Sequence, residues 1–268
     1  MALPFEPRSN PMPTITTTHG SMFYTKRGNR GPTVVCIHGA GGSHLHWGCQ
    51  LRELATTAQI IAVDLPGHGR SDQPGRSSIH DYSQAIIAFM NAIGCEQAIL
   101  VGHSMGGAIS MWTAFEAPKR ISGLGLIGTG GRLRVLPQIL EGLADEDKVV
   151  ETIQFIVKYA YTDTTSEQII QQGVESYTAC PPAVFRGDFI ACNNFDILPK
   201  LSAIRQPTAV IVGSEDQLTP PKYGQTLCEG MPNATLTLIP DAGHMVMIEQ
   251  YAAVNSTLQT FIASKQSA

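Results

Sequence analysis

Gly102-His103-Ser104-Met105-Gly106 decides the reading of this chain, because an apolar run, Ala98-Ile99-Leu100-Val101, leads into it and a helix-compatible segment, Ala108 to Glu116, follows it. Strand, sharp turn and helix converge on one serine, the context in which a G-x-S-x-G match is a nucleophile elbow rather than a chance pattern. The chain must reverse so tightly at Ser104 that a Cβ two residues to either side would collide with it. Glycine is therefore wanted at 102 and 106, and Gly107 adds clearance. The reversal lifts the hydroxyl above the carboxyl edge of a sheet and sets the Met105 amide in the first turn of a helix, where N–H groups lack intrahelical partners and an anionic oxygen is favoured.

A serine nucleophile needs a base, and the base needs an orienting acid. The run Thr208-Ala209-Val210-Ile211-Val212 reads as a buried strand that ends in Gly213-Ser214-Glu215-Asp216-Gln217-Leu218-Thr219-Pro220, so Asp216 sits just past a strand's carboxyl end. A further strand, 234–239, leads into Pro240-Asp241-Ala242-Gly243-His244 and places His244 in the next such loop. Adjacency alone leaves Glu215 and Asp241 as competing acids. The competing bases are His44, His46, His68, His80 and His103, the last flanking the serine but pointing away from its hydroxyl. Two more loops follow short apolar runs: His38-Gly39-Ala40-Gly41-Gly42 after 33–37, and Asp64-Leu65-Pro66-Gly67-His68-Gly69-Arg70-Ser71 after 59–63.

With these motifs and the chain order Ser104, Asp216, His244, the sequence resembles the α/β-hydrolases, within their lidded group of esterases, lactonases and C–C hydrolases, from about Thr33 to Phe261. The resemblance implies that Ser104 is the nucleophile, that Asp216 rather than its neighbours is the acid, and that His244 is the base. It further implies an oxyanion hole made by the amides of Ala40 and Met105, with His38 bracing the first loop. A few members carry the acid after the sixth strand instead; here that stretch is Gly128-Thr129-Gly130-Gly131, which has no carboxylate.

Along the rest of the chain, short apolar runs alternate with helix-length amphipathic segments, the pattern of a mostly parallel sheet with helices on both faces. Strands are expected near 14–18, 21–26, 33–37, 59–63, 97–101, 123–128, 207–212 and 234–239, and helices near 48–56, 80–93, 105–116, 221–230 and 247–264. Tyr82, Ala85, Ile86, Phe89, Met90 and Ile93 recur at helical spacing as a core face. Between the sixth and seventh strands, 132–205 is far longer than a usual connection and must have structure of its own. The expected organisation is a core of 1–131 and 206–268 with a helical cap of 132–205. Leu136, Ile139, Leu140, Phe185, Phe189 and Asn193 of the cap, with Trp47 and Met245, are the candidate substrate-binding residues.

Composition bounds the function. Hydrophobic content of 43%, charged content of 15% and mean hydropathy near zero describe a globular enzyme-sized chain of 268 residues. A net charge of −4 without a basic stripe argues against nucleic acid. Met1 to Pro7 lacks the regions of a signal peptide and no run approaches a membrane span, so a cytoplasmic location is expected. The six cysteines show no metal or disulfide spacing, and His44 and His46 have no third ligand nearby, so neither metal nor cofactor is expected. The expected partner is a small ester or lactone, acyl-homoserine lactones included, bound by a monomer or homodimer. The expected reaction is carboxylic ester hydrolysis through an acyl-enzyme on Ser104. Its rivals are C–C hydrolysis of dienone acids, with Arg132 and Arg134 as candidate carboxylate holders, perhydrolase, amidase or acyltransferase chemistry, and a slow-turnover ligand receptor on the same fold.

Overall fold

The computed structural model describes residues 13–265. The expected core boundaries at 1 and 268, and the reading of Met1 to Pro7, lie outside them. Five parallel strands grow from β-branched and aliphatic runs: β3 (Thr33–Ile37), β4 (Gln59–Val63), β5 (Ala98–His103), β6 (Ile121–Ile127) and β7 (Thr208–Gly213) are buried almost throughout, as strands covered on both faces must be. They are joined by β8 (Ala234–Ile239) at one edge and by the hairpin of β1 (Thr14–Thr17) and β2 (Gly20–Arg27) at the other. The eight strands run in the order β1-β2-β4-β3-β5-β6-β7-β8, antiparallel only at β1·β2 and β2·β4.

Among the described residues ten α-helices cover the sheet and its carboxyl edge: α1 (Gly48–Glu53), α2 (Ile79–Ala92), α3 (Met105–Glu116), α4 (Pro137–Gly142), α5 (Val149–Ala160), α6 (Glu167–Thr178), α7 (Pro182–Asn194), α8 (Pro221–Gly230), α9 (Val246–Glu249) and α10 (Tyr251–Ala263). In α2 the Ser78 hydroxyl accepts the Asp81 amide as an N-cap, and Tyr82, Ala85, Ile86, Phe89 and Met90 form the buried stripe the spacing predicts. The single helix expected over 247–264 is instead two, because Gln250 leaves helical geometry at φ −123°, ψ 47°. Strand β6 begins two residues before its predicted start: Gly123 and Gly125 weaken the apolar pattern, yet Phe261 and the side chains of Val101 and Leu258 pack where their side chains would be.

Helices α4 to α7 all lie between β6 and β7. At the neck of this insert Arg132 is ion-paired with Asp196, and the Ile197 amide donates to the Gly131 carbonyl at 2.8 Å. The apolar clusters on the two faces of the sheet both run into the insert, one through Leu133, Ala191, Cys192 and Phe195, the other through Ile139, Ile153, Ile156 and Phe185. Apolar packing therefore continues from both faces of the sheet into the insert. Cys180 and Cys192 both carry free thiols.

Candidate active site

Four loops leave the carboxyl ends of β3, β5, β7 and β8 and meet under the insert, the crevice in which open parallel sheets place their ligands. At the end of β5 Ser104 adopts φ 52°, ψ −117°, a conformation that costs a non-glycine residue about 1–3 kcal/mol and that the surroundings must impose. Those surroundings are backbone. A Cβ on Gly102 would strike the Gly106 carbonyl, and one on Gly106 would strike the carbonyl of Ile37. The Ser104 amide donates to the Ile127 carbonyl at 2.9 Å, and the Thr129 hydroxyl donates to the Ser104 carbonyl at 2.8 Å, which ties the turn to β6.

The loop after β3 lies against this turn: a Cβ on Gly39 would come within 3.2 Å of Ser104 Cβ. Met105 opens α3, so its amide has no acceptor in its own helix, and neither it nor the Ala40 amide is taken up by another backbone bond among the described residues. His38 braces the loop. Its Nε2 accepts the Leu65 amide at 3.1 Å, so Nδ1 carries the proton and donates to the Gly39 carbonyl at 2.8 Å. Burial, helped by the neighbouring His68, lowers its pKa well below the histidine range and keeps it neutral.

Asp216 and His244 are paired. The His244 Nδ1 lies 2.9 Å from Asp216 Oδ2 and 3.2 Å from Oδ1, and the two residues are 4% and 3% exposed. The carboxylate is itself held by the amides of Leu218 and Thr219, at 2.9 and 2.8 Å, and by the Thr219 hydroxyl at 2.8 Å. Burial pushes the Asp216 pKa up, but the neighbouring His244 and these donors outweigh it and leave the carboxyl below the usual aspartate value. Nδ1 is thus the protonated nitrogen. Among the described residues every hydrogen bond of the ring runs through Nδ1, which leaves the Nε2 lone pair on the cavity that Ser104 also lines.

The rivals are placed elsewhere. Glu215 and Asp241 are exposed to solvent. His44 is bound to Asp64, His68 to Asp188 and His46 to Ser176, while His80 lies outside beside Asp81 and Glu116. The ring of His103 donates to the His244 carbonyl at 3.0 Å. Thr219, whose hydroxyl lies 3.1 Å from His244 Nδ1 as well as bonding Asp216, is the supporting residue that sequence reasoning missed. Its signal was a hydroxyl three residues after the acid, the spacing of a side-chain-capped turn.

His46 gives a stability prediction. It is buried, its Nδ1 has no partner, and burial lowers its pKa from 6.5 to about 4. The unfolded chain then takes up the proton more readily, so stability is full above about pH 6.5 and falls as the pH drops toward 4, by up to about 3 kcal/mol at 1.36 kcal/mol per unit. Urea midpoints of the wild type are expected to fall over that interval relative to His46→Gln. Equal slopes in the two proteins would contradict the assignment.

Above Ser104 and His244 is a cavity of about 580 Å³, walled by Leu133, Val135, Ile139, Phe155, Ile156 and Phe185. Of the expected substrate-binding residues, Leu136, Ile139, Phe185 and Phe189 line it; Leu136, at 55% exposure, stands at its mouth. Four do not. Trp47 is fully buried in the core beside β3 and β4, and Leu140, one position on from Ile139, is carried about 100° round the helix. The Asn193 side chain is used to accept the Val135 amide, and Met245 is buried behind Tyr177, whose hydroxyl meets its sulfur. Tyr159 and Tyr177 line the cavity without having been singled out for it. The cationic residues in its lining are Arg134 and Lys222, and no carboxylate joins them there. Among the described residues no cluster of His, Cys, Asp and Glu could hold a metal ion, and no helix is long and apolar enough to cross a membrane.

The family model described as the alpha/beta hydrolase fold matches residues 32–251, most of the chain. The chain belongs to the α/β-hydrolase family. This hydrolase is similar, at 32% identity and a TM-score of 0.83, to the solved structure of a thermophilic esterase, with 94% of this chain and 97% of that one covered. A structure described as an N-acyl homoserine lactone degrading enzyme gives a TM-score of 0.83 at 25% identity over 93% of this hydrolase and 100% of its own chain. The 2-hydroxy-6-oxo-6-phenylhexa-2,4-dienoate hydrolase of Burkholderia cepacia is 27% identical over 88% of this chain and 89% of its own length. The acetyltransferase component of the acetoin cleaving system of Pseudomonas putida is 28% identical over 88% of this chain, which spans only 64% of that protein's length.

Proposed function

We propose that this hydrolase cleaves carboxylic esters and lactones through an acyl-enzyme on Ser104. The observation that carries the reading is the His244–Asp216 pair, with Nδ1 fixed on the carboxylate and Nε2 open to a cavity in which a strained serine stands. Ser104 Oγ attacks the carbonyl carbon as its proton passes to His244 Nε2, and the carbonyl π pair becomes an oxyanion held by the amides of Ala40 and Met105. Collapse expels the alkoxide, which takes the proton from His244. Water then repeats the two steps, releasing the acid and restoring Ser104. Asp216 keeps the ring in the productive tautomer and balances its positive charge.

Residues 132–205 serve as a lid in this reading, its inner wall of Ile139, Phe155, Ile156 and Phe185 taking the apolar part of the substrate. The esterase and the lactone-degrading enzyme among the similar structures support this substrate class. Holding a dienone acid would call for free cations beside the serine. Arg132 is already spent on Asp196, and Arg134 gives one N–H to the Asn193 carbonyl. With Arg134 and Lys222 in the lining and no carboxylate beside them, the cavity disfavours cationic substrates.

A panel of p-nitrophenyl esters, γ-lactones, acyl-homoserine lactones and a dienone acid tests the reading. Repeated turnover of esters or lactones is expected, with a choline ester slower than its neutral isostere. Cleavage of the dienone acid alone would point to the C–C reaction, and arrest after one equivalent would point to a receptor.

A further inference from the structure

Asp188 is a buried carboxylate that the chemistry above does not use. It sits on α7 with no solvent exposure and receives three donors from three distant segments. Tyr82 of α2 donates its hydroxyl to Oδ1 at 2.6 Å, while Oδ2 accepts the Gly41 amide and His68 Nε2, both at 2.8 Å. The other His68 nitrogen, Nδ1, faces the Pro66 carbonyl at 3.1 Å. A carbonyl and a carboxylate only accept, so both ring nitrogens carry protons and His68 is an imidazolium. Burial opposes that charge, but Asp188 outweighs it and holds the His68 pKa well above the usual value. The pair is thus a buried ion pair with its donors satisfied.

Stability is a poor reason to keep such a pair, because well-packed apolar residues commonly do as well or better. What an apolar replacement cannot supply is an acceptor for the Gly41 N–H. Gly41 follows Ala40 in a loop that also has glycine at 39 and 42, and it adopts φ +65°. One turn before Asp188 on the same helix, the Phe185 ring occupies the space a Cβ of Gly41 would take. The insert therefore holds Gly41 from two sides. Because each peptide unit is planar, fixing the Gly41 N–H fixes the plane adjoining the unit that carries the Ala40 N–H.

We propose that Asp188 is a positioning residue for the oxyanion donor of Ala40, so that a helix of the insert sets the geometry of a catalytic loop of the core. The proposal rests on the reading of the Ala40 amide given above. Its value to the reaction is preorganisation: donors aimed before charge develops stabilise the oxyanion without reorganising.

The test compares wild type, Asp188→Asn, Tyr82→Phe and Ser104→Ala on a p-nitrophenyl ester, with active sites counted by titration. It also measures inhibition by an aliphatic trifluoromethyl ketone. That probe accepts Ser104 Oγ at its carbonyl carbon, turning the π pair into an alkoxide in the oxyanion site while the proton moves to His244. Asp188→Asn is expected to lower kcat by about 10- to 100-fold with KM changed less than about threefold, and to weaken the ketone in the same ratio as kcat/KM. Tyr82→Phe, which removes one donor from Asp188 and leaves the Gly41 bond, is expected to show the same parallel loss at about two- to fivefold. Folded Asp188→Asn with kcat and ketone affinity within twofold of wild type overturns the proposal. If Asp188→Asn does not fold, Tyr82→Phe decides by the same criterion, unchanged values overturning it. Ester hydrolysis surviving in Ser104→Ala would instead remove the serine reading itself.

Discussion

Replacing Ser104 with alanine is expected to lower ester turnover by about 10⁶-fold, the scale on which removal of a serine nucleophile acts in an otherwise intact triad. The loss falls on chemistry alone. Ser104 is half-buried and takes its turn geometry from close backbone packing at Gly102 and Gly106 and from bonds of its own main chain to the Ile127 carbonyl and the Thr129 hydroxyl, none of which uses the serine hydroxyl. Alanine at φ 52° carries the same strain, so the melting temperature is expected to stay close to that of wild type. The amides of Ala40 and Met105 and the apolar cavity remain, and a residual rate of about 10³- to 10⁴-fold over water is expected from them. Initial rates on a p-nitrophenyl ester, with rigorous exclusion of wild-type carry-over, measure the drop. More than about one part in a hundred of wild-type activity would contradict the assignment of Ser104 as nucleophile.

Asp216→Asn is expected to cost about 10⁴-fold in kcat, while Glu215→Gln changes it less than about twofold. The contrast follows from hydrogen-bond arithmetic. Asp216 accepts from two amides, from the Thr219 hydroxyl and from His244 Nδ1, four donors converging on two oxygens. An asparagine has one accepting oxygen, and the Leu218 and Thr219 amides on Oδ1 claim it, so its NH₂ faces the imidazole. The ring answers by moving its proton to Nε2, where it can no longer take one from Ser104. Glu215, one residue earlier, is exposed, and its main chain is fixed by donation to the Ala242 carbonyl whatever its side chain. Steady-state kinetics of both variants check the ranking, and the reverse order would make Glu215 the acid.

The sheet and the gathering of Ser104, Asp216 and His244 at one of its edges were legible in the sequence for a common reason: each depends on a local signal. An aliphatic run followed by a glycine or acidic loop marks a strand's carboxyl end, and such ends carried Ser104, Asp216, His244 and the His38 loop to one edge. The lining of the cavity was not legible in the same way. Trp47 and Met245 are bulky and stand near reactive motifs, but which side of the loop each turns to is set by packing against partners remote in sequence, such as Tyr177 against Met245. Asn193 looked free to face a ligand because nothing local announces that the Val135 amide claims it. Asp188 was passed over for the same reason. In sequence it is a lone acid in an apolar helix, and its meaning lies in Gly41, His68 and Tyr82, whose nearest member is 106 residues away.

The most direct test of the serine mechanism is mass spectrometry of the protein after reaction with a p-nitrophenyl phosphonate, in which Ser104 Oγ forms the bond to phosphorus and p-nitrophenolate leaves. One equivalent of p-nitrophenolate, one phosphonyl group on the peptide carrying Gly102 to Gly106, and loss of ester hydrolysis in step with labelling are the expected results. Full phosphonylation of Ser104 with hydrolysis undiminished, or inactivation with the label on another residue, would contradict it.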